Sequence, residues 1–532
     1  MKKKSGASFI QSAAILMAAS IVVKLIGALF SIPLTNIYGA DGTGIFNVAY
    51  YIYTALFIIA TAGLPVAVSK MVSEATTLGR HREARKIGRL ALISFSLIGA
   101  FFTALMMLGV DVFLSFASNS MARYAVLAIA PSIFFVAIMS AIRGYYQGLS
   151  DMMPTAISQV IEALGKLIFG LLLAYYLMDR GYNLEIVVAG AIGGVTIGTV
   201  LSAAYIILIR LRDVRREKRE DTGRQECAPS GALLKRLFKI AIPVTVGASV
   251  MSLTNLIDMF LVMSRLQDGG MTEPQANYVY GAYGMAVKFF NLPQTVIVGI
   301  GISIIPAISA ALALRNRDRA KSLTESSFRL TALLSLPCAV GLAVLPKPIM
   351  DLLYYSVPDD VIVAAPLLTL LGPAVLLVAM VSVTNAILQA IGKETAPVFT
   401  MLIGGIVKLI ANYTMVGTPS IGIHGAPIGT SLCYGTVMVL NLIVISRTGV
   451  RFSFRASFLK PMIAAAVMGV FAYFAYAPMA AVLGAKLGVL IDVLLSGVIY
   501  LMMIVVTRAL PKSDILMLPK GEKIAKLLKI ND

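Results

Sequence analysis

Tryptophan is absent from the 532-residue chain, histidine occurs twice and cysteine three times. Each scarcity closes a class of function. Cys227, Cys338 and Cys433 lie far apart, without the paired spacings of a zinc or redox site, and read as one loop thiol and two small buried residues. His81 and His424 stand alone and supply neither a zinc site nor a triad. Charge is scarce too: Asp, Glu, Lys and Arg make up 13% of residues, about half the share in soluble domains. No polar stretch is long enough to form a water-soluble domain. A phosphate-binding GxxxxGK[ST] is missing, as is a GxSxG nucleophile elbow, so neither an ATPase nor a hydrolase is supported.

What fills the sequence instead is apolar residues, 58% of the total. Runs of about 20 recur from end to end, each sufficient to cross a ~30 Å hydrocarbon core. The expected fold class is an all-α polytopic membrane protein with fourteen transmembrane helices, the first at 8–36 and the last at 484–507. The ~10-residue alternating strands of a membrane β-barrel are not seen. The first apolar run continues to Leu34 without a small-residue cleavage site, so a cleavable signal is not expected.

The net charge of +19 does not point to nucleic acid, because the basic residues sit in short loops between spans. Most of the 45 lysines and arginines fall in loops on one side of the membrane. The opposite side holds Arg123, Arg180, Arg265, Lys347 and Lys486. The positive-inside rule then places both termini in the cytoplasm. Four lysines remain, all inside spans: Lys24, Lys166, Lys288 and Lys408. A lysine at the centre of a span costs roughly 2.5–3.5 kcal/mol on insertion scales, so each calls for a reason. The intramembrane acids are Glu162, Asp258 and Asp492.

The chain repeats at an offset of about 240 residues. "GLPVAVSK" (63–70) matches "SIIPAISA" (303–310), and each leads into a basic loop. "MMPTAISQVIEALGKLI" (152–168) matches "TAPVFTMLIGGIVKLI" (395–410), setting Lys166 against Lys408. "AGAIGGVTIGT" (189–199) matches "HGAPIGT" (424–430). Internal symmetry of this kind is typical of secondary transporters, with the substrate site between the repeats. The expected organisation is an N-terminal lobe over 1–211 and a basic cytoplasmic linker over 212–234. Core spans of a C-terminal lobe follow at 235–391, its remaining spans at 392–509, and a cytoplasmic tail at 510–532. The linker reads as a solvated loop, with anionic-lipid binding as the alternative.

"AIRGYYQGLSDMMPTAISQVIEALGKL" resembles the "RGYFQG…PTAISQ" signature of the SpoVB/MurJ-like polysaccharide-transport family. That family belongs to the MOP flippase superfamily, alongside the MATE exporters. "VKLIGALFSIPL" is similar to its first-span motif, with Lys24 in place of the usual arginine. "VKFFNLPQTVIVGIGISIIPAIS" is similar to its eighth-span pattern, in which Lys288 precedes Pro293 by five positions. Gram-negative members carry an Arg–Asp pair six residues beyond the first-span basic residue; this chain has Phe30 and Ser31 there and resembles the Gram-positive SpoVB/YtgP-like branch. The resemblance implies two pseudo-symmetric lobes of MOP/MATE-like fold around a central cavity. It also implies a flippase in the bacterial plasma membrane for a lipid-linked pyrophosphate oligosaccharide, lipid II or another polysaccharide unit. Membrane lipids and the cell-wall synthesis machinery would be its partners. No cofactor is expected, though a coupling ion such as sodium or a proton is compatible. A MATE-type cation-coupled drug antiporter is the other transporter reading.

For such a substrate the charges divide into roles. Lys24 and Lys288 are expected to line the cavity as point-charge phosphate ligands. Glu162 precedes Lys166 by one helical turn, so a structural pair is expected there, with substrate binding as the second reading of Lys166. Lys408 either snorkels outward or meets substrate. Arg143, at the end of its span, either contacts the head group or caps the helix C-terminus. Asp258 is read as a partner for a lysine or a cation ligand, and Asp492 as a mark of a tail groove or lobe contact. Gln147 and Asn255 are further polar candidates. Prolines 33, 65, 131, 243, 293 and 306 lie in spans and read as kinks.

Overall fold

A computed structural model describes residues 6–219, 227–448 and 454–511, and every regular element among them is a helix. The helices are α1 (Gly6–Thr61), α2 (Leu64–Thr77), α3 (His81–Leu108), α4 (Val110–Ala117), α5 (Arg123–Gly148), α6 (Met153–Asp179), α7 (Leu184–Arg219) and α8 (Ser230–Asp268). They continue with α9 (Glu273–Ala313), α10 (Arg317–Val344), α11 (Pro346–Leu353), α12 (Pro358–Ala390), α13 (Ala396–Val416), α14 (Gly425–Arg447), α15 (Phe454–Leu483) and α16 (Ala485–Val506). Twelve helical stretches among the described residues are long and apolar enough to cross a membrane. The chain is a multi-pass membrane protein. The first of these stretches, Ala18–Thr77, has 60 residues, about 90 Å at ~1.5 Å per residue and far more than one crossing needs. It bends at Gly39, whose φ of 66° and ψ of −161° lie in a region open essentially to glycine alone.

The helices form two compact units. The first runs to Ser264 and takes in Thr272–Gly281; the second holds Arg265–Met271 and everything from Ala282 onward. α8 as far as Ser264 packs with the first unit. α8 begins inside the first unit because its apolar face is used there. Leu233, Leu237 and Ala241 share a buried core with Val68 and Met71 of α2, Phe95 of α3 and Tyr145 of α5. Thr245 accepts the N–H of Gly63 at 3.0 Å, Arg236 pairs with Glu74 at 2.6 Å, and Phe260 stacks on Phe116.

Within the first unit, α6 and α7 touch through glycine. A Cβ on Gly165 would sit 2.5 Å from Gly198 Cα, and one on Gly194 would strike the backbone of Gly170. These small residues let two helices meet without side chains between them, the usual membrane solution where lipid gives no hydrophobic drive. Pro33, Pro131 and Pro243 lie inside helices as expected. Pro65 does not kink a span: it occupies the first turn of α2, where its missing N–H costs nothing.

The second unit has its own core, with Ile308, Phe328, Leu336, Val383, Ile387 and Met468 buried together. A polar knot crosses it. Asn441 of α14 accepts from Thr400 of α13 at 2.7 Å and donates to Thr384 and Asn385 of α12 at 2.9 and 2.8 Å. With no water in hydrocarbon, each of these groups must find a protein partner.

Candidate functional site

The first unit encloses a cavity of about 420 Å³ among α1, α5, α6 and α7. Lys24, Arg143, Glu162 and Lys166 all line it, with Tyr50, Tyr53 and Gln159. Four of the charged residues singled out from sequence are thus brought together.

Arg143 organises the wall. It lies within α5, not at its end, and among the described residues its bonds go to side chains rather than terminal carbonyls. Its Nε donates to Ser158 Oγ at 2.9 Å and its Nη2 to Glu162 Oε2 at 2.9 Å, with Ser202 Oγ at 3.3 Å. The capping role is therefore not what the structure shows. One guanidinium instead ties α5 to α6 and α7, as its planar fork allows. Ser202 in turn donates to the Ser158 carbonyl at 2.7 Å.

That network also corrects the Glu162–Lys166 pair. Glu162 is held by Arg143, and the Lys166 ammonium lies elsewhere, 4.6 Å from the Phe30 ring centroid and 5.5 Å from that of Tyr50. A cation over aromatic faces is worth ~0.5–1 kcal/mol when exposed and about 2 or more when desolvated. Phe30 is buried and fits against Gly170, so the residue that replaces a charged position of Gram-negative sequences carries the platform for Lys166.

Lys24, on α1, is exposed into the cavity and makes no hydrogen bond or ion pair among the described residues. The lining therefore has three cations and one carboxylate, and that carboxylate is already engaged. Sequence reasoning missed the aromatic side of the site. Phe46, Tyr50, Tyr53 and Phe57 follow one another at centroid distances of 5.7–5.9 Å along α1. Their spacing of four, three and four residues is a helical stripe visible in "FNVAYYIYTALF". Gln159 was also missed; its Oε1 is buried without a partner among the described residues, an acceptor left for a ligand donor.

The remaining candidates lie elsewhere. Asp258 is buried on α8, outside this lining. Lys288, Lys408 and Asp492 belong to the second unit, the two lysines half-buried. Asp492 is fully buried, with Ser496 Oγ at 3.4 Å from one oxygen and no partner for the other among the described residues. No group of three or more metal-ligating side chains occurs among the described residues.

The family model of the polysaccharide biosynthesis proteins matches residues 9–312, more than half of the chain. The chain belongs to this family. The MatE model matches residues 243–414. The stage V sporulation protein B of Bacillus subtilis (strain 168) is 26% identical over 82% of this chain and 82% of its own length. The lipid II flippase MurJ of the same organism is 25% identical over 81% of each. Among solved structures, the lipid II flippase MurJ in an inward closed conformation superposes with a TM-score of 0.71, at 16% identity, over 92% of this chain and 98% of that one. The family member described here therefore has the MurJ fold, and one of the two relatives above is named a lipid II flippase.

Proposed function

We propose that this protein moves an undecaprenyl-pyrophosphate-linked cell-wall precursor, lipid II, from the inner to the outer leaflet of the bacterial plasma membrane by alternating access. Both termini are cytoplasmic in this reading. One observation carries it: a cavity inside a membrane-spanning unit holds Lys24, Arg143 and Lys166 against a single, already paired carboxylate. A pyrophosphate cannot enter hydrocarbon unaided, and lysine ammoniums are effective point-charge phosphate ligands. The tyrosines of α1 offer faces on which sugar rings pack, and Gln159 offers an acceptor. The relatedness to MurJ supports the same substrate class. A cation-coupled drug exporter is disfavoured by the sign of the cavity, since a site for cationic drugs needs free acid.

The test is translocation of labelled precursor by full-length protein in proteoliposomes. Lys24→Met is expected to slow it at least tenfold, the loss of one charge-assisted contact of ~1.5–3 kcal/mol, while Lys24→Arg keeps most of the rate. Unchanged translocation by Lys24→Met at equal incorporation sinks the proposal. Lys288→Met is read in the same assay, as the independent probe of the second unit.

A further inference from the structure

Asp492 is a buried acid for which the Lys24 cavity has no use. It is 0% exposed and lies about 11 Å along α16 from Ala485, at ~1.5 Å per residue. Ser496 Oγ is 3.4 Å from Oδ1, a single long hydrogen bond, and Oδ2 has no partner among the described residues. We propose that Asp492 is a proton-binding site: its carboxyl holds a proton while α15 and α16 are packed together and gives it to water when they part.

The sequence puts the acid on the packed side of its helix. Val489, Asp492, Ser496 and Tyr500 recur every three or four residues and form the buried face of α16. Leu494, Val498 and Leu501 are exposed on the other face. α15 comes very close on the buried side: a Cβ on Gly488 would lie 2.8 Å from the backbone of Ala480. Gly484, at a φ of 79°, is the one residue joining the two helices. The carboxyl stands one turn beyond Gly488, closed off from water.

α16 packs on α15, α11 and α10, and the charges of those helices are placed elsewhere. On α11, Lys347 and Asp351 pair with each other at 2.6 Å, and Lys486 of α16 lies over the Tyr355 ring. On α15, Arg455 and Lys460 stand in the first two turns, at the end away from Gly484. Tyr473 is exposed, and Tyr476, one turn before Ala480, is half-buried. On α10, Cys338 is half-buried. Tyr500, two turns past Asp492, donates to the Leu333 carbonyl, and the charged residues of α10 all precede Leu333. An ionised Asp492 would thus have one weak donor and no cation among the described residues, in surroundings that offer no water. A neutral carboxyl escapes that cost. One carboxyl and one hydroxyl are too few oxygens for calcium or magnesium, which take about six or more. Release of the proton therefore goes with opening of the α15–α16 hairpin.

The test is infrared spectroscopy of full-length protein in detergent at neutral pH, where the carbonyl stretch of a protonated carboxyl stands apart from carboxylate bands. The spectrum of the wild type minus that of Asp492→Asn should show one such band. Folding the wild type then takes up a proton that folding Asp492→Asn does not. As pH rises from about 5 to 8, the folded-to-unfolded ratio of the wild type should fall against that of the variant, by up to about tenfold per pH unit. Absence of the band, or a wild type whose advantage over Asp492→Asn grows with pH, reveals a carboxylate held by a cation and overturns the proposal. Exchange of sodium for choline should change neither readout; a sodium-dependent stability that Asp492→Asn abolishes overturns the proton and assigns a metal cation. If the variant does not fold, the wild type is treated with a hydrophobic carbodiimide, which modifies protonated carboxyls in apolar surroundings. Asp492 should then be modified at least tenfold more than the ion-paired Glu162, and no modification at Asp492 overturns the site. None of these readouts uses translocation, so failure of the flippase reading and failure of this one are separately visible.

Discussion

Arg143 is the residue on which the wall of the Lys24 cavity depends. Its loss leaves Glu162 without its partner; removing one member of a fully buried pair costs ~3–5 kcal/mol, and this half-buried pair belongs at or below the lower end of that range. Arg143→Met should lower stability by about 3 kcal/mol in denaturant unfolding of detergent-solubilised protein, and Arg143→Met with Glu162→Leu should recover most of it. Lys166→Met should cost clearly less, since it forfeits ring contacts and leaves no carboxylate unpaired. An equal loss from Lys166→Met would restore the pairing read from the sequence. That reading failed for a physical reason: residues four apart share a helix face, but a neighbouring helix can offer a better partner. The lone charges in apolar runs singled out Lys24, Glu162 and Lys166, and all three line one cavity. Gln159 and the tyrosines were hidden, because polar and aromatic residues are common enough in spans to raise no alarm singly.

At the scale of elements, the glycines of α7 sort into two kinds. A Cβ at Gly193 meets nothing within 4 Å, whereas one at Gly194 runs into the backbone of Gly170. Gly193→Ala should be tolerated or stabilise by up to about 1 kcal/mol through helix propensity. Gly194→Ala must push α6 and α7 apart, and with them Glu162, Lys166 and Ser202. The expected readouts are lower yield of folded protein and slower precursor translocation for Gly194→Ala only. Equal behaviour of the two variants would remove the close approach of α6 and α7 from the explanation of the site. The helices themselves were largely legible from apolar run length, and the small-residue repeat "AGAIGGVTIGT" was visible. Which of its glycines face a partner was not, because that depends on the rotation of α7 about its own axis.

For the whole molecule, the internal repeat predicted two halves, and two units exist. The residues that each unit takes in were not legible from the repeat, since packing depends on which helix faces meet: α8 as far as Ser264 belongs to the first unit. Orientation is testable through the three thiols. Cys227 lies within the expected linker, while Cys338 and Cys433 lie within α10 and α14. A membrane-impermeant maleimide should leave Cys227 unlabelled in intact cells and label it after lysis. Labelling in intact cells would reverse the cytoplasmic assignment of the termini.

The bend at Gly39 has a mechanical consequence for the Lys24 cavity. It divides α1 into two rods joined by one pair of dihedrals. Lys24 and Phe30 ride on the first rod, Tyr50 and Tyr53 on the second. The opposite wall is stitched by Arg143 into a single piece, so it cannot widen without breaking an ion pair or the hydrogen bonds beside it. The aperture between ammonium and rings is thereby geared to the torsion of one glycine, and a few degrees of rotation there are multiplied along each lever arm into ångströms at the site.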